Sequence, residues 1–178
     1  MPETDVLVIG AGQCGLAFSR ELSLRGISHE VLSETAAPGD VWRDRWDTLR
    51  LFTPARFDAL PGMRFPADGR ACPSAGEFAD YLDAYAERFA VPLQLRRRVT
   101  GVVADDKGFV VSVGGDAHAW RAHRVVVATG GQTRPRIPLE SAQLDAAIVQ
   151  LHTSAYRRPD DLPGERVLVV GCGTSGVQ

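Results

Sequence analysis

An apolar run from Asp5 to Ile9 breaks into Gly10-Ala11-Gly12-Gln13-Cys14-Gly15 and then into a stretch of helical spacing that reaches Arg25, where Gly26 is placed to stop it. A second apolar run, His29 to Ser33, ends at Glu34. Strand, glycine turn, helix and strand in this order fit the dinucleotide-binding fingerprint, and each glycine has a physical task. Gly10 permits the tight turn, Gly12 lets backbone approach a pyrophosphate, and Gly15 lets the helix pack closely on the strand. An anion would rest on the N–H groups at the helix N-terminus, where the macrodipole favours negative charge. Glu34 falls nineteen residues after Gly15, where a carboxylate can accept hydrogen bonds from both hydroxyls of an adenosine ribose.

With 178 residues, 44% of them apolar, the chain can bury a core of its own. A net charge of −2 gives no reason to invoke nucleic acid or a membrane surface as a partner. Nineteen of the twenty lysines and arginines are arginine, a residue suited to bidentate phosphate contacts. The three cysteines, Cys14, Cys72 and Cys172, form neither a CxxC pair nor a metal-ligand cluster, so a reduced, cytoplasmic protein without a metal is expected. The chain runs straight into its first strand without a basic leader, and no apolar stretch is long enough for a membrane span.

Residues 35–73 lack clean periodicity and are dense in Trp, Arg and Phe. A connection this long inside a compact domain is usually functional or disordered, and its aromatic content argues against disorder. It is expected to cover a flat, phosphate-bearing cofactor; the alternative is that Trp42, Trp46, Leu51 and Phe52 fill a satellite core. Ser74 and Glu77 form a capping box, followed by Phe78, Tyr81, Leu82, Tyr85 and Phe89 at helical spacing, which predicts an amphipathic helix over 74–91 with its aromatic stripe in the core. Short strands are expected at 93–95, 99–104, 109–113 and 117–120, the last three forming an antiparallel meander over 99–121. His29 reads as a strand-edge residue, His118 and His123 have no partners at metal-ligand spacing, and Arg96 to Arg98 read as a solvated strand end, the alternative being an auxiliary phosphate contact.

A further buried parallel strand, Arg124 to Ala128, runs into Thr129-Gly130-Gly131, small residues of the kind that let a ligand approach a strand end. After a proline-rich stretch with one apolar run, 146–151, a strand at Val167 to Val170 leads into Gly171-Cys172-Gly173-Thr174-Ser175-Gly176. This repeats the opening motif incompletely. Cys14 and Cys172, inside the two turns, read as small packing residues. The expected organisation is a dinucleotide-binding domain over 1–140, a linker over 141–165 and the start of a second dinucleotide-binding domain over 166–178.

Taken together, GAGQCGLA, GDVWRDRWDTLRLFTP, LPGMRFP, CPSAGEFADYLDAYAERF, VVVATGG, LHTSAYRRP and VLVVGCGTSG resemble, in order and nearly end to end, the flavin-containing monooxygenase group of flavoproteins. Bacterial FAD/NAD(P)-dependent oxidoreductases and plant YUCCA-type enzymes are the nearest in kind. The resemblance implies an α/β fold: a Rossmann-like FAD-binding domain with a central parallel sheet and an antiparallel meander, then the first strand of an NAD(P)-binding domain. It implies FAD at the first motif and, in a complete enzyme, NADPH at the second. Gly10, Gly12, Gln13, Cys14 and Gly15 would hold the FAD pyrophosphate and Glu34 the ribose. Val41, Trp42 and Arg43 would lie along the cofactor, Leu49 and Thr53 near its ring, Val99 at the adenine, and Ala128, Thr129 and Gly130 would close the site. Gly171, Gly173, Ser175 and Gly176 match the NADPH turn, and His152 and Tyr156 part of the signature before it.

The chain departs from the group at Ala146 and Ile148, where Phe-x-Gly is common, and at Phe52, where animal-type members carry asparagine. In complete relatives NADPH gives hydride to FAD, and oxygen is transferred through a C4a-hydroperoxyflavin to a small-molecule substrate. No catalytic side chain is assigned here. The resemblance implies the FAD-binding part of such an oxidoreductase, inactive by itself in NADPH turnover, with Val167–Val170 as an edge open to self-association. The alternative is a non-catalytic nucleotide-binding remnant or one subunit of a split enzyme. A thiol-disulfide flavoenzyme would need a redox cysteine pair, and a simple NAD-dependent dehydrogenase would not explain the aromatic loop or the second glycine motif.

Overall fold

The computed structural model describes residues 1–114, 119–131, 135–164 and 166–178. Six strands form one mixed sheet: β1 (Glu3–Ile9), β2 (His29–Leu32), β3 (Leu93–Gln94), β4 (Val99–Asp105), β5 (Gly108–Val113) and β6 (Ala119–Val127), in the order β3-β2-β1-β6-β5-β4. The first four in that order run parallel, and β5 and β4 add an antiparallel extension. The helices are α1 (Gln13–Leu24), α2 (Asp40–Arg43), α3 (Ala75–Arg88) and α4 (Thr174–Val177).

Alternation along β1 divides the core. Val6 and Val8 face the cluster that contains Leu16 and Leu22 of α1 and Phe78, Tyr81, Leu82 and Tyr85 of α3. Leu7 and Ile9 face a second cluster with Leu32, Val111, Val113 and Ala122. A strand buried on both faces reads as an unbroken apolar run, which is why VLVI has no polar interruption. His29 is buried within this framework. Its Nδ1 donates to the Ile27 carbonyl at 2.9 Å, and its Nε2 therefore accepts from Ser19 Oγ at 2.7 Å.

α3 begins as its sequence predicts. The Glu77 N–H donates to Ser74 Oγ at 3.2 Å, and the Ser74 N–H donates to Glu77 Oε2 at 2.7 Å. The aromatic stripe is core, and it also ties down the irregular segment above it. The Tyr81 hydroxyl accepts from the Leu60 N–H and donates to the Met63 carbonyl, both at 2.7 Å, and Tyr85 donates to the Pro61 carbonyl at 2.8 Å. Trp46, Leu49 and Leu51 are buried in the first cluster, whereas Phe52 is exposed. The satellite-core alternative thus holds for Trp46 and Leu51 and not for Phe52.

Two expectations are corrected. The strands expected at 117–120 and 124–128 are one continuous β6, which pairs antiparallel with β5 over Ala119–Ala122 and parallel with β1 over Arg121–Val127. Arg121 is engaged by both carboxylate oxygens of Asp105 at 2.9 Å, and His123 Nε2 is 3.7 Å from Glu3. Ala117, His118 and, of the turn expected at 114–116, Gly115 and Asp116 lie outside the described residues.

Val167 to Val170 is the second correction: no ladder partner holds it as a strand among the described residues, and all four side chains are exposed. A β-strand exists through its neighbours, and the six-stranded sheet ends elsewhere. The segment 135–164 is irregular apart from two short 3₁₀ turns, and the apolar side chains of Ile148, Val149 and Leu151 are exposed.

Candidate cofactor site

β1, β2 and β6 end in register, Ile9 opposite both Leu32 and Val127, so their carboxyl ends form one edge of the sheet. The Gly10 N–H donates to the Leu32 carbonyl and the Ala128 N–H to the Ile9 carbonyl, each at 2.8 Å. Those bonds carry the glycine turn, Glu34 and the 128–130 segment to the same edge, where open α/β sheets bind ligands.

The turn is built as its glycines require. Gly10 has φ +109°, and a β-carbon there would lie 2.4 Å from the Ala128 carbonyl oxygen. A β-carbon at Gly15 would meet the Gly10 oxygen, which permits α1 to start directly against β1. At Gly12 the same construction meets nothing within 4 Å. Gly12 is the N-cap of α1 without a side-chain cap, so its helix presents bare N–H groups to open space. The donors, the dipole and the missing side chain together suit a pyrophosphate. Gln13 opens the helix, and its Oε1 accepts from the Trp42 indole Nε1 at 3.5 Å. Cys14 is exposed, as is Cys172, and not the packing residue expected, because its helix position faces outward.

Glu34 lines a cavity of about 540 Å³ together with Thr35, Ala36, Asp40, Arg43, Asp44 and Arg98. Its carboxylate is exposed and lies 3.6 Å from Arg98 Nε. The basic run passes beside the end of β2, with the Arg97 N–H donating to the Ser33 carbonyl at 2.7 Å and the Arg96 N–H to Thr35 at 2.9 Å. Arg98, read from sequence as a solvated strand end or an auxiliary phosphate contact, therefore faces Glu34, with Val99 next to it at the start of β4.

The remaining predicted residues divide between the site and its supports. Val41 is exposed, and Trp42 packs edge-on against Phe78 at 4.8 Å while reaching α1. Arg43 is turned to α3, with Nη2 at 2.5 Å from Asp80 Oδ1 and Nη1 at 2.7 Å from Asp83 Oδ2. Those carboxylates, Asp80 first, raise its pKa above the ordinary arginine value. Leu49 is buried, its carbonyl accepting the Ala75 N–H at 3.0 Å. Thr53 donates its hydroxyl to Asp58. Ala128, Thr129 and Gly130 border the turn, Gly130 at φ +76° with open space around it.

The second motif repeats the first in backbone detail. Gly171 has φ +115°, Gly173 caps α4 with an extended conformation, and a β-carbon at Gly176 would lie 2.4 Å from the Gly171 oxygen and 3.7 Å from Val169. Ser175 is exposed on α4. Upstream, His152 Nδ1 accepts from the Ser154 N–H at 3.2 Å, and Tyr156 packs against the first core cluster. Among the described residues no group of three or more His, Cys, Asp or Glu side chains could hold a metal, and no helix is long and apolar enough to cross a membrane.

A parallel sheet with an uncapped glycine turn, an acid at the neighbouring strand end and a small-residue third strand end defines a Rossmann-like dinucleotide-binding protein. The profile of the pyridine nucleotide-disulphide oxidoreductase family matches residues 7–178, and the chain belongs to that family. Within it the likeness is to flavin monooxygenases. A flavin-containing monooxygenase from Stenotrophomonas maltophilia superposes with a TM-score of 0.89 at 35% identity, covering 100% of this chain and 54% of that one. An uncharacterized CzcO-like oxidoreductase of Geobacillus kaustophilus is 42% identical over 98% of this chain and 49% of its own length. The indole-3-pyruvate monooxygenase YUCCA4 of Oryza sativa subsp. japonica is 35% identical over 97% of this chain and 43% of its own. The chain thus spans about half the length of the relatives it matches.

Two residues of the arrangement escape a sequence reading, Asp80 and Asp83, whereas Arg98 belongs to the basic run for which a phosphate contact is the alternative reading. The two aspartates, three apart on α3, share a helix face, the one local signal available. Which loop that face receives is a tertiary matter.

Proposed function

We propose that this chain binds FAD at the Gly10–Gly15 turn and is the FAD-binding portion of an NADPH-dependent flavin monooxygenase-type oxidoreductase. The observation that carries the proposal is the pairing of an open, uncapped α1 N-terminus at Gly12 with the Glu34 carboxylate at the end of the adjacent strand. Gly12, Gln13 and their neighbours supply N–H donors to the pyrophosphate. Glu34 accepts from the ribose hydroxyls, displacing Arg98. Trp42 closes over the start of α1, and Thr129 and Gly130 admit the cofactor along the sheet edge.

Held by the Gly10–Gly15 turn and Glu34, FAD would supply the redox chemistry of hydride acceptance and oxygen activation. The chain's own contribution is binding, orientation and the exclusion of water along the Trp42 loop. The Gly171–Gly176 turn has the backbone form of a second pyrophosphate cradle, which supports a nicotinamide dinucleotide as the second nucleotide. Substrates of the soft-nucleophile or carbonyl kind fit a flavin monooxygenase.

Reconstitution tests the reading. The purified chain incubated with FAD and desalted should retain the visible flavin bands, with a quenched and shifted spectrum. Anaerobic NADPH should leave it yellow, because the exposed Val167–Val170 segment offers no sheet on which a nicotinamide could rest. A chain that stays colourless would overturn the FAD assignment in favour of a non-catalytic remnant, and rapid bleaching would overturn its dependence on further structure.

A further inference from the structure

α2 is four residues long and cannot stand alone, because helix nucleation fixes several residues for a single hydrogen bond. It is gripped at both ends by side chains from distant parts of the chain. At its start, Asp83 on α3 accepts the Gly39 N–H at 2.9 Å through Oδ1, while its Oδ2 lies 2.7 Å from Arg43 Nη1. Gly39 itself is pressed onto α3, where a β-carbon would come within 2.4 Å of the Ala79 carbonyl oxygen. At its end, Arg157 donates from Nη1 to the Arg45 carbonyl at 2.8 Å and the Arg43 carbonyl at 3.4 Å, and from Nη2 to Asp44 Oδ1 at 3.2 Å. The Asp47 N–H returns a bond to the Arg157 carbonyl at 2.9 Å.

The grips have the charge order that a helix favours, an acid at the amino end and a base at the carboxyl end. Between them stand the residues that face the site: Trp42, which reaches Gln13, and Asp40, Arg43 and Asp44, which with Glu34 line the cavity. Neither Asp83 nor Arg157 lines that cavity.

We propose that Asp83 and Arg157 are positioning residues for the adenosine half of FAD, holding α2 as the preformed wall opposite Glu34. The proposal rests on the FAD reading above. Holding the wall before the cofactor arrives removes the ordering cost from binding, so losing a grip should appear in affinity. It also makes the segment that precedes the second glycine motif a structural partner of the first.

The test uses the full chain and the variants D83N, D83A, R157K and R157A, with FAD affinity read by flavin fluorescence and amide exchange of residues 39–47 read without FAD. D83A and R157A should weaken FAD at least tenfold and speed exchange across 39–47. D83N keeps an acceptor for Gly39, and R157K keeps a charge, so both should fall between these and the wild type. If the grips act through the wall, the loss caused by E34Q should shrink at least threefold in the D83N background, whereas a general loss of stability would leave the two effects additive. Faster exchange with unchanged FAD affinity, or additive effects, would overturn the positioning role. A wild-type chain that binds no FAD would overturn the FAD reading itself, and the exchange data would still report whether the grips hold α2.

Discussion

A β-carbon at Gly15 would lie 1.9 Å from the carbonyl oxygen of Gly10, whereas one at Gly12, three residues earlier, would touch nothing. The two glycines therefore serve different ends. Gly15 is required by the fold and Gly12 by whatever occupies the space in front of it. G15A must push α1 off β1 and should cost several kcal/mol, at least the ~1–3 kcal/mol of an overpacked core, seen as a lowered urea midpoint. G12A should melt within about 1 kcal/mol of wild type and yet lose FAD by a large factor, because the methyl group stands where the pyrophosphate approaches. A G12A chain that binds FAD normally would place the phosphates elsewhere.

Glu34 is exposed and its ion pair with Arg98 is long, so little stability should depend on it. E34Q should leave the thermal midpoint unchanged and weaken FAD roughly ten- to a hundredfold, the ~1.5–3 kcal/mol of hydrogen bonds to a charged acceptor. R98A should leave FAD affinity equal or better, since the ribose need no longer displace a guanidinium. Weaker binding in R98A, measured in the same titration, would mean that the guanidinium itself contacts the cofactor.

The capping box of α3 gives a pH signature. The Ser74 backbone N–H, and then the Ser74 hydroxyl, hold the Glu77 carboxyl below its ordinary value. A carboxyl lowered in the folded state stabilises above its unfolded pKa, and that contribution is lost as pH falls through the lower folded value. Urea melts taken from neutral pH down through the carboxylate range should show this loss in wild type and a flatter profile in E77Q. S74A should cost about 1 kcal/mol at neutral pH, the usual worth of an N-cap. Parallel acid profiles for wild type and E77Q would show that the box carries no net charge effect.

What the chain reveals before folding is what local physics decides. The glycine turn could be read because φ +109° at Gly10 and the closeness of Gly15 leave no other residue type, and the capping box because its partners are three residues apart. β6 was legible only in halves. Its change of partner, antiparallel to β5 and then parallel to β1, is set by the sheet and leaves no mark in the sequence. Val167–Val170 fails in the opposite direction: its apolar pattern is that of a buried strand, but a strand needs neighbours that this sheet does not provide. Asp83 and Arg157 could not be found by spacing, since each acts on a segment tens of residues away, and the pairing of Arg98 with Glu34 is visible only once β2 and the 96–98 run lie side by side.

Tyr81 and Tyr85 differ in what their hydroxyls hold, and the difference predicts unequal costs for the same substitution. Burial raises the pKa of both phenols, so each stays a neutral donor. The Tyr81 hydroxyl completes two bonds, one from the Leu60 N–H and one to the Met63 carbonyl, whereas Tyr85 completes one, to Pro61. Y81F strands a donor and an acceptor in the turn at 60–63 and should cost roughly 2–3 kcal/mol, while Y85F should cost about 1 kcal/mol. Both leave the ring packing of α3 intact, so urea melts of the two variants measure the hydroxyls alone. Equal losses would show that water reaches Leu60 and Met63 when the Tyr81 hydroxyl is gone, and that the turn at 60–63 is held by the packing of Leu60 and Met63 on the first core cluster instead.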